Sequence, residues 1–505
     1  MKARERSPRR LRPRLLGGFT RRRWENDTGN QTVDPVNVVH ARSVDDLVAA
    51  VGQAREGHLT VRCVGSGHSW SDVALTTGYL IAPEGLTGVD FADPGLLVET
   101  ADAGHLVSMR SGTTIREVNA WLDGHQLGLI QMGGFDGQTF VGAAATATHG
   151  SGVTFPPLCD YIRSVDLVDG TGVCRRIEPA GGITDAAAFA QARPGWTLDQ
   201  RDDWFDAAMC GMGCLGLIAS LIIEVRDRFE LTEVRTLRTW AQVKADYAAG
   251  VPAGYEHYEV YINPYARRSV RGKGALEHRC IVTTRQPPGA DRGSSHRPII
   301  PELLGDLPWI TALIMRVAGA IAPNLIPFLL DTSLSAIKCK GYTNVSYKVF
   351  NIGSANNVRA YSAEMAVPTA NDTHVEAMDR VLAVAQEYRE RGAIYHTSPI
   401  SMRFVAASRA SLSMMEGRDT MMMELIQLID TDGGMEILAA HEERLADLGV
   451  RPHWGQINTV SAAELVSRYP RRAQWDAARQ ALDPDGVFAG PFSKRVGITP
   501  RGARS

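Results

Sequence analysis

The stretch QMGGFDGQTFVGAAATATHGSGV, residues 131 to 153, is built almost wholly of small residues with Thr and Ser between them. Side chains this small let backbone N–H groups come close to a ligand, and successive N–H groups form an anion-binding nest. About 70 residues earlier the chain reads VRCVGSGHSWSD, residues 61 to 72, where an apolar strand ends in Gly65-Ser66-Gly67 and His68 stands at the exit. Alone, that turn has three readings: an ordinary tight turn with an incidental histidine, a phosphate cradle, or a point of attachment to the imidazole. Together the two stretches point to a dinucleotide whose diphosphate is clamped between two loops. The nicotinamide fingerprint needs G-x-G-x-x-G at one strand-to-helix turn, and VGSGHS lacks the third glycine. FAD in a non-Rossmann setting is therefore the dinucleotide expected.

A chain of 505 residues exceeds one compact core, so two domains are the default. The formal charge of -2 argues against a nucleic-acid partner. Seven cysteines make no disulfide framework at this length, and Cys210 and Cys214 lack a second pair or nearby histidines, so no metal site is expected. A reducing cytoplasm fits that usage. The first 23 residues hold ten Lys or Arg and one acid, Glu5, without the sustained apolar run of a secretory peptide. A solvated basic arm and an arm that touches anionic lipid both remain open.

From Thr32 to Arg228, β-rich runs alternate with helical ones. HARSVDDLVAAVGQAREG predicts a helix capped by Ser43 and closed by Gly57, with Val44, Leu47, Val48 and Val51 on one face. LTVRCVG and LIASLIIEVRD read as strands, and TTIREVNAWLDGHQLG as a second capped helix. Beyond Arg228 the pattern changes. YEHYEVYINP, RAYSAEMAVP and PISMRFVAAS alternate as half-buried strands, and NDTHVEAMDRVLAVAQEYRERG predicts a helix. In that helix Asn371 or Asp372 would cap a stripe of Val375, Met378, Leu382 and Ala385. This order suggests an antiparallel sheet backed by helices. PWITALIMRVAGAIAPNLIPFLL, residues 308 to 330, reads as a core or cap helix, a hairpin dipping into one leaflet, or a span, with Arg316, Pro323 and Pro327 against the span.

WEND near 24, VGSGHSWSD, ATATHGSG, GLIASLIIEV, EMAVP at 364 to 368, MRFVAAS at 402 to 408, RPHWGQ at 451 to 456 and LDPDGVF at 482 to 488 occur in one order along almost the whole chain. As a set they resemble the vanillyl-alcohol-oxidase superfamily of flavoproteins. Within it they resemble the sugar-lactone and alditol oxidases, including the L-gulonolactone and D-arabinono-1,4-lactone oxidases. The resemblance implies an α+β chain with a two-lobed FAD-binding domain and an antiparallel-sheet substrate (cap) domain. The limits expected are a basic arm over 1–30, the FAD domain over 31–228, the cap over 229–470 with an apolar insert at 290–345, and a return to the FAD domain over 471–505.

The resemblance further implies that His68 carries the flavin covalently, through the 8α-methyl group. No cysteine occurs in GLIQMGG, so a single tether is expected. Gly65, Ser66, Gly67 and Ser69 would hold the diphosphate. Gly134, Thr139, Gly142, Thr146, Thr148, His149 and Gly150 would line the opposite wall, with Ile218 on the adenine side. Gly133 or Gly134 would leave O2 a route to the flavin.

Alternation turns Glu364 away from Ala363 and Met365, and Arg403 away from Met402 and Phe404, so both can face a ligand. Gln456 stands where the family has lysine, and Ala366 where it has arginine. Both departures remove positive charge, which makes a less polar alcohol credible as substrate. The activity expected is an FAD-dependent oxidase of a CH–OH group, with O2 as acceptor and H2O2 as product. Glu364 would orient the hydroxyl, His453 or a neighbouring base would take its proton, and Arg403 and Gln456 would stabilise negative charge. Open beside it stand a membrane-docked dehydrogenase using a quinone or cytochrome, a tailoring oxidase of a lipophilic alcohol, and a flavoprotein without catalysis. Peripheral membrane contact through 308–330 belongs to the first of these.

Overall fold

The computed structural model describes residues 23–268, 275–289, 293–296, 322–352, 359–392, 394–429 and 431–499. The arm through residue 22 and residues 308–321 of the apolar stretch lie outside them. Three sheets organise the chain. A parallel sheet of Asn37–His40, Tyr79–Ala82 and Val61–Cys63 is covered by helix Val44–Glu56. Ser43 caps that helix through a reciprocal bond with Asp46, and Gly57 closes it. A six-stranded sheet follows, ordered Trp196–Gln200, Cys174–Glu178, Ile162–Val168, Leu217–Glu224, Leu106–Arg110, Val89–Phe91. These two sheets stand where the resemblance implies the two lobes of an FAD-binding domain.

The third sheet has eight antiparallel strands, ordered Cys339–Val345, Glu230–Thr239, Arg279–Gln286, His257–Ile262, Ile400–Val405, Thr420–Leu428, Ala360–Pro368 and Arg451–Pro452. Its alternation is as the sequence predicts. Tyr258, Val260, Ile262, Met402, Phe404, Ala363, Met365 and Val367 pack in one apolar cluster with helix Thr373–Gly392, and the polar residues between them face the other way. The cap expected for that helix is corrected. Asn371 and Asp372 both adopt left-handed φ, 56° and 55°, in a tight turn before it. The buried stripe includes His374, Ala377 and Val381, and Val375 is only half-buried.

Chain order is stitched together at Arg62, the residue before the strand end that leads to the glycine turn. Its buried guanidinium donates to the carbonyls of Met212 (2.7 Å), Gly213 (3.0 Å) and Phe488 (3.0 Å), and to that of Val73. Val61 N also donates to Val487 O at 2.8 Å. Helix Arg472–Leu482 buries Trp475, Ala478 and Leu482 in the same cluster as Phe205, Ala208 and Met209 of the FAD-binding fold. Among the described residues, no helix is long and apolar enough to cross a membrane. Of the apolar stretch, 322–330 is described: a turn at Pro323–Leu325, then helix Ile326–Ala336, with Leu325 and Phe328 exposed.

Candidate active site

The backbone N–H groups of residues 65 to 69 donate to no acceptor in the described chain. Five consecutive amides without partners would be costly if buried, and here they lie in an exposed to half-buried turn where an anion can take them. The turn is held from behind by the hairpin that WEND opens. Asp27 N donates to Gly67 O (2.9 Å), Asn26 Nδ2 to Ser69 O (2.9 Å) and Asn30 Nδ2 to Trp70 O (2.8 Å).

The second glycine-rich stretch lies directly against the first. A Cβ on Gly65 would collide with Thr139 Oγ1, so only glycine lets the two loops close. Thr139 caps the helix Phe140–Ala145, in which Gly142 is exposed and whose end Thr146 closes. Beyond it Ala147 is held at a left-handed φ of 55°, a strained conformation for a residue with a side chain. A Cβ on Gly150 would stand 2.7 Å from Gln131 Oε1 and 2.8 Å from Met132 O, and one on Gly133 3.3 Å from His149 O. Thr148 lies beside Gly133. Gly134 packs under Ile352, whose amide it accepts at 2.9 Å. Ile218 sits on the six-stranded sheet opposite Leu167, at a register shift before Ser220.

These observations fit FAD: a run of free amides for a diphosphate, and a facing wall where side chains are excluded. His68 stands where the loops meet. Its ring stacks on Phe135 of the second stretch at 4.4 Å and 24°, with Asp27 Oδ2 3.5 Å from Nδ1. Burial lowers its pKa, against the pull of Asp27, so the ring is neutral near pH 7 and keeps a nucleophilic lone pair.

A third segment, HWGQ, closes the site. Gly455 O accepts Trp70 N (2.8 Å), Ser71 Oγ donates to Trp454 O (2.6 Å), and His453 N donates to Glu364 O (2.8 Å). Glu364 thereby meets the FAD-side loop. Its Oε2 accepts Gln456 Nε2 at 3.0 Å, and its Oε1 lies 3.2 Å from His149 Nε2. That contact reaches ion-pair distance, yet Oε1 receives no well-angled hydrogen bond from any described group. Burial pushes the Glu364 carboxyl up, but His149, His453 and Arg403 outweigh it and hold it at about 2.

Hydrogen-bond logic fixes where protons sit. His149 Nδ1 lies 2.8 Å from Gly150 O, and a carbonyl only accepts, so Nδ1 carries a proton. His453 is the reverse. Its Nδ1 accepts Gly455 N–H at 3.0 Å, and burial holds its pKa down at about 4, so the neutral ring carries its proton on Nε2. The base expected in His453 is thus a donor in this geometry. His149, Glu364 and His453 each place one ligand atom within 4.8 Å of the others, with His149 Nδ1 turned to Gly150 O and His453 Nδ1 accepting Gly455 N–H.

Arg403 faces the same space. Its Nε donates to Glu259 Oε1 at 2.7 Å, Nη2 lies 3.2 Å from Glu424 Oε2 and Nη1 4.0 Å from Glu364 Oε1. Glu424 stands directly opposite Glu364 on the neighbouring strand. Burial raises its pKa, partly offset by Arg403 and reinforced by Glu364. Sequence reading missed Phe135, Glu259, Glu424 and Arg285. The alternation of YEHYEVYINP puts Glu259 on the face opposite Tyr258 and Val260, which is the available signal.

A family model described as D-arabinono-1,4-lactone oxidase matches residues 221–496, and one described as FAD binding domain matches residues 35–178. The chain is 30% identical to an L-gulono-1,4-lactone dehydrogenase of Mycobacterium tuberculosis, over 94% of this chain and 98% of the relative. It is 26% identical to an alditol oxidase of a Streptomyces species, over 92% and 97%. Among solved structures, a cholesterol oxidase from B. sterolicum superposes with a TM-score of 0.76 at 13% identity, covering 97% of this chain and 99% of that one, which shows a shared fold. With the flavin-binding fold, the facing loops and these matches in place, the chain belongs to the D-arabinono-1,4-lactone oxidase family of FAD-dependent oxidoreductases, which act on CH–OH groups.

Proposed function

We propose that this chain oxidises an uncharged polyol, lactone or related alcohol at one CH–OH group, with FAD tethered to His68 and O2 as acceptor. The observation that carries the reading is the buried Oε1 of Glu364, an acceptor without a hydrogen bond, set beside the glycine loops. Bound FAD supplies the two-electron acceptor. A substrate hydroxyl donates to Glu364 Oε1, which fixes the C–H bond in one direction. As hydride leaves carbon, the hydroxyl becomes strongly acidic, so even a carboxylate held at about 2 takes its proton within the Glu364–His149 pair. His453 Nε2–H and Arg403 stabilise negative charge as it develops. The substrate leaves as a carbonyl compound, and O2 takes the two electrons and two protons to give H2O2.

Arg403 is already paired with Glu259 and Glu424, and Gln456 carries no charge. A sugar acid or sugar phosphate would therefore add negative charge to a wall whose cation is engaged. This supports a neutral substrate. In the same reading residues 31–228 bind FAD, 229–470 form the cap and 471–505 return to the first domain. The free state of all seven cysteines suits a reducing cytoplasm.

An anaerobic screen of sugars, lactones, polyols and lipophilic alcohols, read by loss of the flavin's visible absorbance, tests the function. Bleaching by a neutral alcohol is expected, and none across the panel would overturn it. A second reading, a dehydrogenase passing electrons to a membrane quinone, draws on Leu325 and Phe328, exposed at 52% and 49% within the apolar stretch. Stopped-flow reoxidation separates the two. A reduced protein indifferent to O2 but quick with a quinone analogue would favour the second.

A further inference from the structure

The polar face of the eight-stranded sheet carries a row of charges, one from each of six consecutive strands. In spatial order they are Glu233, Arg285, Glu259, Arg403, Glu424 and Glu364. Arg285 Nε lies 2.8 Å from Glu233 Oε2, and its Nη2 3.1 Å from Glu259 Oε2. Glu259 passes its other oxygen to Arg403 at 2.7 Å, and Arg403 reaches Glu424 at 3.2 Å and Glu364 at 4.0 Å. Arg285, next to one end of this row, and Glu364, at the other end, both return to the loop 149–151. Arg285 Nη1 donates to Ser151 Oγ at 3.1 Å, and Glu364 faces His149 at 3.2 Å. His149 and Ser151 are separated by Gly150 alone, so the row closes into a ring: Ser151, Arg285, Glu259, Arg403, Glu364, His149.

Such a ring is a poor source of stability. Desolvating several charges offsets most of their attraction, and apolar residues of similar volume would serve the fold as well. Its distinctive effect is geometric. Glu259 is 3% exposed and is gripped on both sides by guanidinium groups, which hold its carboxyl at about 2 against burial. With Nε tied to Glu259, the planar guanidinium of Arg403 can turn only its two terminal nitrogens, and these face Glu424 and Glu364. Released from Glu259, Arg403 would be free to fold onto the Glu364 acceptor that a substrate hydroxyl needs.

We propose that Glu259 and Arg285 are positioning residues for the oxidation, acting through Arg403 and through the loop His149–Ser151. Neither touches the reacting atoms. This rests on the reading of Glu364 and Arg403 as the wall that meets the alcohol. The ring also makes the sheet register and the flavin-side loop a single unit, so that substrate wall and cofactor loop keep one spacing.

Two measurements on the FAD-loaded protein test it. The first is a double-mutant cycle of Glu259→Gln and Arg403→Gln, read as the anaerobic rate of flavin bleaching with the alcohol that reduces the parent protein. Each single change is expected to lower kcat/KM about tenfold or more, and the double change to fall no lower than Arg403→Gln alone. Glu259→Asp, which keeps the charge, should recover part of the loss. Additive losses, or a Glu259→Gln variant that matches the parent, would overturn the proposal. The second needs no turnover: hydrogen–deuterium exchange of the amides of 149–152, expected to quicken in Glu259→Gln and in Arg285→Lys while strands of the six-stranded sheet stay unchanged. Unchanged exchange in the loop would also overturn it. Should Glu259→Gln fail to fold, Arg285→Lys carries both measurements. If no alcohol bleaches the parent flavin, the functional reading fails by itself, and the exchange arm still decides the ring.

Discussion

The turn at 65–71 and the charged face of the eight-stranded sheet bound the same site by opposite means. The turn offers its backbone: five consecutive amides lack an acceptor among the described residues, and the facing loop tolerates no Cβ at Gly65. The sheet offers side chains, and nearly every charge along the row is already matched, from Glu233 to Glu364. A backbone grip is set by which atoms are absent and does not depend on pH. A charge wall is set by which partners are present, and losing one member strands its neighbours in a medium that solvates them poorly.

The largest expected effect tests the tether proposed at His68. His68→Ala should release all its flavin on denaturation, while the parent chain keeps the FAD mass through denaturing mass spectrometry. Equal release from both would remove the tether. Next comes the wall. Glu364→Gln should lower kcat/KM about 10²–10⁴-fold with flavin still bound, as loss of a proton acceptor does, and steady-state assays over the screened alcohols would measure it. Gly65→Ala probes the backbone side. Its Cβ meets Thr139 Oγ1, and the overpacking of about 1–3 kcal/mol should appear as poorer FAD loading, read by the ratio of visible to protein absorbance, with little change in KM.

The smallest effect concerns His257, at the edge of the wall. Its ring is buried between Phe155 and Phe350 with neither nitrogen hydrogen-bonded, and burial holds its pKa at about 3. His453 is held at about 4 for the same reason. Both rings are neutral when folded and take protons below about 6.5 when unfolded. The unfolded chain thus binds more protons there, so stability is full above that pH and is lost as pH falls toward 3–4. His257→Phe should leave Tm near its parent value at pH 7.5 and shrink the drop between pH 7.5 and 5. Thermal melts across that range would show it, and an unchanged slope would mean that the ring is not the acid-sensitive group.

Local signals carried far in the sequence. The cap at Ser43, the alternation around Tyr258 and Glu364, and the outward turn of Arg403 each depend on neighbours a few residues away, and each stands as expected. What the sequence hid was pairing across distance. Glu259 meets Arg403, 144 positions on, because His257–Ile262 lies beside Ile400–Val405, and no periodicity encodes that adjacency. The same holds for Glu424 opposite Glu364, and for Phe135 under His68. The proton on His453 was hidden for another reason: it is fixed by one amide, Gly455 N, whose direction only the folded turn reveals. At 371–372 propensity misled, since both residues adopt the left-handed turn they tolerate instead of capping.

Arg62 has one more consequence. Its guanidinium is shared among carbonyls from positions 73, 212, 213 and 488, and the strand it belongs to leans on Val487. A ribosome must therefore deliver the chain through residue 488 before the strand leading into the glycine turn has all its anchors. If the turn holds the flavin as proposed, loading waits for that moment, and a nascent chain stalled short of residue 487 is expected to emerge without colour.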